Sequence, residues 1–426
     1  MAFQQGLSGL ASSSKAIDVT SNNIANASTV GFKAGNALFA DVYASALSGA
    51  STGLQIGIGS TINAVRQAFT QGNLATSNNP LDLAVNGNGF FRLERSDGSI
   101  AYSRNGQLDI DRNGFIVNAT GDKLTGFRVS SIVNGVAVFE GTPNTLQIDT
   151  ANISPRATQT GVSIAANLDA REVNPTTRTP PGPPFVPGPP ASIPVESYNA
   201  TTSLTVFDSL GNPHSLTLYF VRAVPDPAVP GSARAWDVWA GLDGDTPDSL
   251  GQLRFDTNGV PIAPTSFNFS GTLTNGAASP LSFPIDLFRV TQFGSAFSVN
   301  ALRQDGYTTG QLTGIVTTAE GVIQGRYSNG ESRDIGKIVL ANFQSPSGLI
   351  SLGNNLWAES PESGQPAIGG PGTGVLGVIS AGQVEESNVD LTQELVQLIV
   401  QQRNYQANAQ SIRAQDQILQ TLVNLR

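Results

Sequence analysis

The sequence predicts a mainly β protein with terminal α-helices, on three observations: heptad-spaced apolar residues at both chain ends, hairpin turns at short regular intervals between them, and a proline-dense stretch that no sheet can absorb. At 426 residues the chain has room for two to four domains. At the N-terminus Phe3, Leu7, Leu10, Ser14, Ile17, Ser21 and Ile24 alternate in steps of four and three, a heptad seam whose other members are serines. Ser12, Ser13, Thr20, Asn22, Asn23 and Asn26 in the same stretch each cost about 0.5 kcal/mol relative to Ala in a helix. This segment is therefore expected to be helical only when packed. Between residues 85 and 127, Asp97-Gly98, Asn105-Gly106 and Asn113-Gly114 recur at even spacing, each suited to a type I′ turn, and Gln107 to Asp111 alternates polar and apolar as a half-buried strand does. Residues 174–194 hold nine prolines and read as an exposed loop or stiff spacer. Leu204 to Phe207, a Gly211-Asn212-Pro213 turn, and Leu216, Leu218 and Phe220 on one face predict a further hairpin. From Leu391 the steps of four and three reach Leu395, Leu398, Gln402, Tyr405, Ala409, Ile412, Asp416, Leu419 and Val423. That pattern predicts a helix over 388–426, roughly 58 Å long, with Ser387 and Asn388 as caps and Asp390 and Glu394 in the first turns, where the helix dipole favours acids.

Composition narrows the function. Charged residues make up only 13% of the chain and the net charge is -9, so there is no basic field for nucleic acid, and the surface must be largely Ser, Thr, Asn, Gln and Gly. With no cysteine and one histidine, His214, thiol chemistry, disulfides and multi-His or multi-Cys metal sites are excluded by counting. No apolar run reaches the ~20 residues of a membrane span, and the N-terminal stretch lacks the basic and continuously apolar regions of a secretory signal. Asp109, Asp111, Asn113 and Gly114 imitate the front half of an EF-hand loop, but Thr120 stands where the closing Glu is required, so a hairpin is expected. Asp243, Asp245 and Asp248 read as a polar loop, and His214 as a turn residue after Pro213. Gly372, Gly374 and Gly377 satisfy a G-x-G-x-x-G spacing without the strand and helix that a dinucleotide site needs. No catalytic, cofactor-binding or metal-ligating residue is assigned.

Three blocks carry a resemblance. SNNIANASTVGFK (21–33), with Asn22, Asn23, Ala25, Asn26, Gly31 and Phe32, is similar to the N-terminal signature of flagellar rod, hook and hook-associated proteins. The stretch 385–426, with Asn404, Tyr405 and Asn408, is similar to their C-terminal signature. LDLAVNGNGFFRL, the LTVFDSLGNPH hairpin and GRYSNGESRDIGKIVLANFQSPSGLISLGNNLWAES resemble the interior of the hook member of this axial family. Length and the middle insertion favour hook over distal rod or hook-filament junction subunits.

The resemblance implies a nested, multidomain axial protein. Terminal helices, 1–30 and 385–426, pair as a coiled-coil-like inner layer; 31–70 connects; 71–155 with 301–384 forms an inner β domain; and 156–300 is an outer inserted β domain. It implies a non-enzymatic subunit that polymerises into the curved tube joining rod to filament, transmits torque and encloses the export channel. The expected polymerisation interface is Leu7, Leu10, Ile17, Ile24, Leu391, Leu395, Leu398, Tyr405, Ile412, Leu419 and Val423, with Gln402 and Asp416 fixing register. Further copies of the chain, the distal rod, hook cap and hook-filament junction proteins and the flagellar type III export apparatus are the implied partners. The implied location is the extracellular hook, reached without a cleaved signal, with no cofactor, nucleic acid or membrane insertion. A secreted β-rich adhesin is the alternative from another class, and it predicts discrete oligomers instead of tubes.

Overall fold

A computed structural model describes residues 2–42, 59–133, 136–189, 192–224 and 234–424, the side chains of 2 and 422–424 excepted. The chain forms two compact units. The first takes 1–150, 313–326 and 332–426; the second takes 151–312 with 327–331, so nearly all of it is one uninterrupted insertion.

In the first unit helix α1 (Ala2–Ala25) and helix α2 (Leu391–Asn424) bracket the chain. After α1 the chain turns into a two-stranded antiparallel ribbon, β1 (Gly35–Val42) and β2 (Gly59–Gln67), paired from Gly35↔Gln67 to Val42↔Gly59 with a bulge at Leu38/Phe39. The body of the unit is a curled sheet whose central path runs from Ser332–Ile338 through Lys123–Val133, Phe90–Glu94, Ile100–Ser103 and Leu356–Ala358 to Ile350–Gly353. Its fully buried residues include Phe90, Phe91, Leu93, Leu124, Leu340 and Ala341. One aromatic cluster joins the ribbon to this body. Phe69 meets Phe90 and Trp357 edge-on, each with ring centres 5.3 Å apart, and the Trp357 indole N–H donates to Gln67 Oε1 at 2.5 Å.

The turns differ from expectation in an instructive way. At Asp97-Gly98 and Asn113-Gly114 the glycine alone has positive φ, 81° and 84°, and the N–H of Gly98 and Gly114 bonds the carbonyl three residues back. These are type I turns closed by a bulge glycine, not type I′ turns. Asp111 explains the choice: its Oδ1 accepts the N–H groups of Asn113 and Phe115, both at 2.8 Å, so the carboxylate that resembled a calcium ligand serves as a turn acceptor. Asn105-Gly106 is no hairpin turn at all. Its carbonyl accepts the Leu83 N–H, and a Cβ on Gly106 would lie 1.7 Å from the Leu83 carbonyl oxygen. The type I′ pair is Asn354-Asn355, with φ of 53° and 57°.

The second unit is a β-sandwich. One five-stranded sheet holds Ala200–Phe207, Pro213–Arg222, Ala235–Leu242, Asp248–Phe255 and Pro261–Ile262 in that order. The other, also five-stranded, centres on Val162–Asp169. Alternate residues of both, among them Ile164, Leu168, Leu216, Leu218, Phe220, Trp236, Val238, Phe269 and Phe283, form one dry core. The expected hairpin has the register Leu204↔Leu216 and Phe207↔Pro213.

The described part of the proline-dense stretch, 174–189 and 192–194, joins no sheet and is mostly exposed, as expected of a loop, but it is anchored by apolar contacts. Phe185 stacks on Tyr219 and Trp239 at 5.6 and 5.2 Å, Tyr198 meets Tyr219 at 5.2 Å, and Ile193 is 7% exposed. Prolines cannot donate to a ladder, yet they hold an aromatic anchor over a sheet face at little entropic cost. Phe185→Ala is expected to destabilise this unit by about 1–3 kcal/mol and to change tryptophan fluorescence, read in a urea titration.

The chain enters and leaves the insertion side by side, because Arg156 and Tyr307 form an antiparallel bridge with both N–H···O distances at 2.9 Å. Replacing 158–305 by a short Gly/Ser turn is therefore expected to leave a first unit that still unfolds cooperatively in calorimetry.

Candidate functional site: the terminal helix pair and its joint

Helix α1 lies antiparallel on α2. A Cβ on Gly6 would meet Ile412 Cγ1 at 2.9 Å, a Cβ on Gly9 would meet the Asn408 amide at 2.9 Å, and Asn23 Nδ2 donates to Glu394 Oε1 at 3.1 Å. The buried or half-buried residues of α1 on this side are Gly6, Gly9, Ser13, Ala16, Thr20 and Asn23, and those of α2 include Glu394, Leu398, Gln401, Asn408 and Ile412. Both sets follow steps of three and four; α2 sets Leu398 and Ile412 beside Glu394, Gln401 and Asn408, while those of α1 are small or polar. Such residues let two backbones approach closely, and side-chain amides then satisfy one another, as Asn408 Nδ2 does with Ser13 Oγ at 3.4 Å.

Other large apolar residues point outward. Phe3 and Leu7 on α1 are 48% and 53% exposed, and Leu391, Leu395, Val396, Ile399 and Val400 on α2 are 45–57% exposed. Of the expected interface, Leu10, Ile17, Ile24, Leu398 and Ile412 are half-buried, while Tyr405 and Leu419 are exposed. Val423 lies on α2 with its side chain outside the described residues. Gln402 and Asp416 are exposed, and Asp416 accepts from Gln420 one turn on. The expected pairing of the terminal helices is made within one chain, α2 supplying the packing partner that α1 needs. The signal was present as a 3-4 spacing of glycine, serine and alanine, which a search for apolar stripes passes over.

The joint beneath the helices is ionic and buried. Lys33 Nζ contacts Glu385 Oε1 at 2.5 Å and Arg104 Nη1 contacts Glu385 Oε2 at 3.2 Å, with side chains 0–4% exposed. Glu385 Oε1 also accepts the Gly72 N–H, the Lys33 ammonium donates to the Thr70 carbonyl, and Arg104 Nη2 donates to the Gly87 carbonyl. Burial pulls both the Lys33 ammonium and the Arg104 guanidinium below their ordinary values, and the Glu385 carboxylate opposes that pull. Arg104 also sits 5.2 Å over the Phe90 ring, which couples the ions to the aromatic cluster.

The motif asparagines complete the joint. Asn23, 1% exposed, accepts the Gly35 N–H and donates to the Gly35 carbonyl, so it bridges α1, the start of β1 and Glu394 of α2. Asn26 donates to the Asn22 carbonyl and accepts from Thr29, closing α1. Gly31 has φ 72° and a Cβ there would lie 2.6 Å from the Asn105 backbone nitrogen, while Phe32 beside it is buried. Asn388, expected as a cap, instead accepts the Ala34 N–H and donates to the Ala68 carbonyl. The cap of α2 is Asp390, whose Oδ1 accepts the N–H groups of Thr392 and Gln393. Ala25 and Asn404 are exposed.

Among the described residues no group of three or more His, Cys, Asp or Glu is placed to hold a metal ion, and no helix is long and apolar enough to cross a membrane. Gly372, Gly374 and Gly377 lie in a loop closed by the Gly372 N–H on the Gly377 carbonyl. What the geometry defines is a subunit whose two ends form one helical face, locked to a β body and presenting apolar residues outward.

Comparison with known proteins agrees along the whole chain. Residues 3–33 match the model of the flagella basal body rod protein, 84–167 the flagellar hook protein FlgE/F/G D1 domain, 167–307 the flagellar basal body protein FlaE D2 domain, and 380–425 the flagellar basal body rod FlgEFG protein C-terminal region. The flagellar hook protein FlgE of Escherichia coli is 38% identical over 100% of both chains, that of Salmonella typhimurium 37% over 100% of both, and that of Borreliella burgdorferi 32% over 99% of this chain and 98% of its own. The crystal structure of Helicobacter pylori flagellar hook protein FlgE2, at 15% identity, shares the fold over 72% of this chain and 98% of its own with a TM-score of 0.52. The chain belongs to the flagellar hook protein FlgE family. It is a structural subunit of the bacterial flagellar hook, in a family that implies self-polymerisation.

Glu385→Ala leaves two buried cations without their anion and is expected to destabilise the first unit by about 3–5 kcal/mol, read as a lower urea midpoint. Gly9→Leu is expected to cost about 1–3 kcal/mol by overpacking α1 against α2 while leaving the second unit's own transition unchanged.

Proposed function

We propose that polymerisation proceeds through the outward apolar faces of the α1-α2 pair, with each chain's helices packing on those of neighbouring copies around a central channel. The observation that carries this reading is the cluster of large apolar residues left exposed outside the pair, Leu391, Leu395, Val396 and Ile399 within three turns of α2, while the α1 face toward α2 is small or polar. A monomer rarely leaves so concentrated an apolar surface uncovered. In this reading the expected interface divides into two groups. Leu398 and Ile412 set the pair itself, and Leu7, Leu391, Leu395, Tyr405 and Leu419 meet other copies.

The four-part division of the chain belongs to the same proposal, with the terminal helices as the innermost layer and 156–300 outermost. Contacts with distal rod, hook cap and hook-filament junction proteins, export by the flagellar type III apparatus without a cleaved signal, and the absence of enzymatic activity complete it. The lack of cysteine supports the export step, because no disulfide can obstruct threading of the unfolded chain.

Leu395→Asp and Ile399→Asp are expected to abolish tube formation, seen by electron microscopy and sedimentation, without moving the melting temperature of the soluble chain. Ile412→Asp is expected to lower both, because Ile412 packs on Gly6 of its own chain. Tubes formed normally by the Leu395→Asp and Ile399→Asp chains would overturn the proposal.

A further inference from the structure

The second unit holds a buried charged cluster around His214. His214 heads the strand Pro213–Arg222 and is 8% exposed, so it is more than the turn residue the sequence suggests. Its Nε2 faces Asp208 Oδ2 at 3.1 Å and its Nδ1 faces Asp243 Oδ2 at 2.5 Å. Ionised carboxylates only accept hydrogen bonds, so both contacts are satisfied together only when both ring nitrogens carry protons.

The two carboxylates are held differently. Asp208 is fully buried in the turn after Ala200–Phe207; its Oδ1 accepts the N–H groups of Leu210 and Asn212, and its Oδ2 accepts from the side chains of Asn212 and Asn275. Burial alone would raise this carboxyl, but the donors prevail and hold it well below the usual carboxylate range. Asp243 stands at the corner between Ala235–Leu242 and Asp248–Phe255, and its side chain is 48% exposed. Its backbone φ is 49°, left-handed for a residue with a Cβ, and Gly244 follows at 86°. The Asp243 carboxylate restrains this corner through His214 and through the Ser215 N–H at 2.7 Å. Asp208 and Asp243 are the charged groups that face the ring, and the loop carrying Asn275 brings a neutral amide.

We propose that His214 is a proton-operated latch, bonding the 208–212 turn to the Asp243 corner as an imidazolium and releasing that corner when it loses a proton. The proton that stays belongs on Nε2, because fully buried Asp208 has no water to replace its donor. Nδ1 then turns a lone pair toward the Asp243 carboxylate, which is exposed enough to move into solvent.

Burial alone would lower the imidazole pKa, but the hydrogen bonds and charges of Asp243 and Asp208 outweigh it and raise it above the ordinary 6.5. A group raised on folding contributes stability that is fully present below its unfolded value and is lost as pH rises through the folded one. The latch is therefore closed in acid and opens on the alkaline side of the folded pKa, softening one corner of the sandwich.

His214 is the single histidine of the chain, so one imidazole signal reports it in the full-length protein. Histidine-selective NMR is expected to show a midpoint above that of the urea-unfolded chain. Hydrogen exchange of peptides covering 241–247, corrected for its intrinsic pH dependence, is expected to lose protection as pH rises across that midpoint. Asp243→Asn is expected to lower the midpoint and leave the corner unprotected at every pH, and His214→Gln to give a pH-independent corner. A midpoint at or below the unfolded value, or equal corner protection on both sides of it, overturns the latch. So does an unchanged pH profile in His214→Gln. Should His214→Gln fail to fold, the wild-type profile and Asp243→Asn decide the question.

Discussion

The carboxylate of Glu385 gathers the start of the ribbon through Lys33, the end of the strand Ile100–Ser103 through Arg104 and the Gly72 backbone onto one buried group just before α2 begins. Everything the terminal helices do depends on that convergence, since it joins a segment near each end of the chain across hundreds of residues. An uncompensated charge at such a site is strongly unfavourable, whereas a well-packed apolar trio would tolerate small slips. The ionic joint therefore specifies one geometry between helix and β body. Asn23 and Asn388 extend it with hydrogen bonds that reach α1, β1, Thr70 and α2.

On that joint the two helices divide their chemistry between two tasks. The inward stripe of glycine, serine, alanine and asparagine gives close approach and directional hydrogen bonds, and leaves little apolar area to bury within one chain. The outward residues leave theirs exposed, which the proposed packing between copies would cover. A helical polymer uses heterologous contacts, in which one face meets a different face of the next copy, and two chemically distinct sides on each helix suit that demand. The low charge of the chain fits the same purpose, because contacts without fixed ion pairs rearrange at lower cost.

The second unit is built on other lines. Its two sheets bury a continuous core, and one repeated device turns its strands: a type I turn closed by a bulge glycine, seen at Gly211 and Gly259, with Asp208 and Asp256 accepting the turn's backbone N–H groups. Around this regular sandwich the chain adds two local features, the proline strap over Tyr219 and Trp239 and the histidine between two carboxylates.

Legible in the sequence alone were the helical ends, the β interior, the hairpin between Leu204–Phe207 and Leu216–Phe220, the exclusion of thiol and multi-histidine chemistry, and the family through its long terminal motifs. These are local properties: a 3-4 spacing, an alternation of polar and apolar residues, or a count does not depend on which distant residues meet. Tertiary structure decided which side of each helix faces the other, because Gly6 and Gly9 gain value only once Ile412 and Asn408 stand opposite them. It decided that Asn388 binds the ribbon while Asp390 caps α2, and that Asn354-Asn355 makes the type I′ turn. It also made one site of Lys33, Arg104 and Glu385, and another of His214, Asp208 and Asp243. Burial turns scattered charges into coupled groups, and neither burial nor proximity between distant residues is written in the spacing of a single chain.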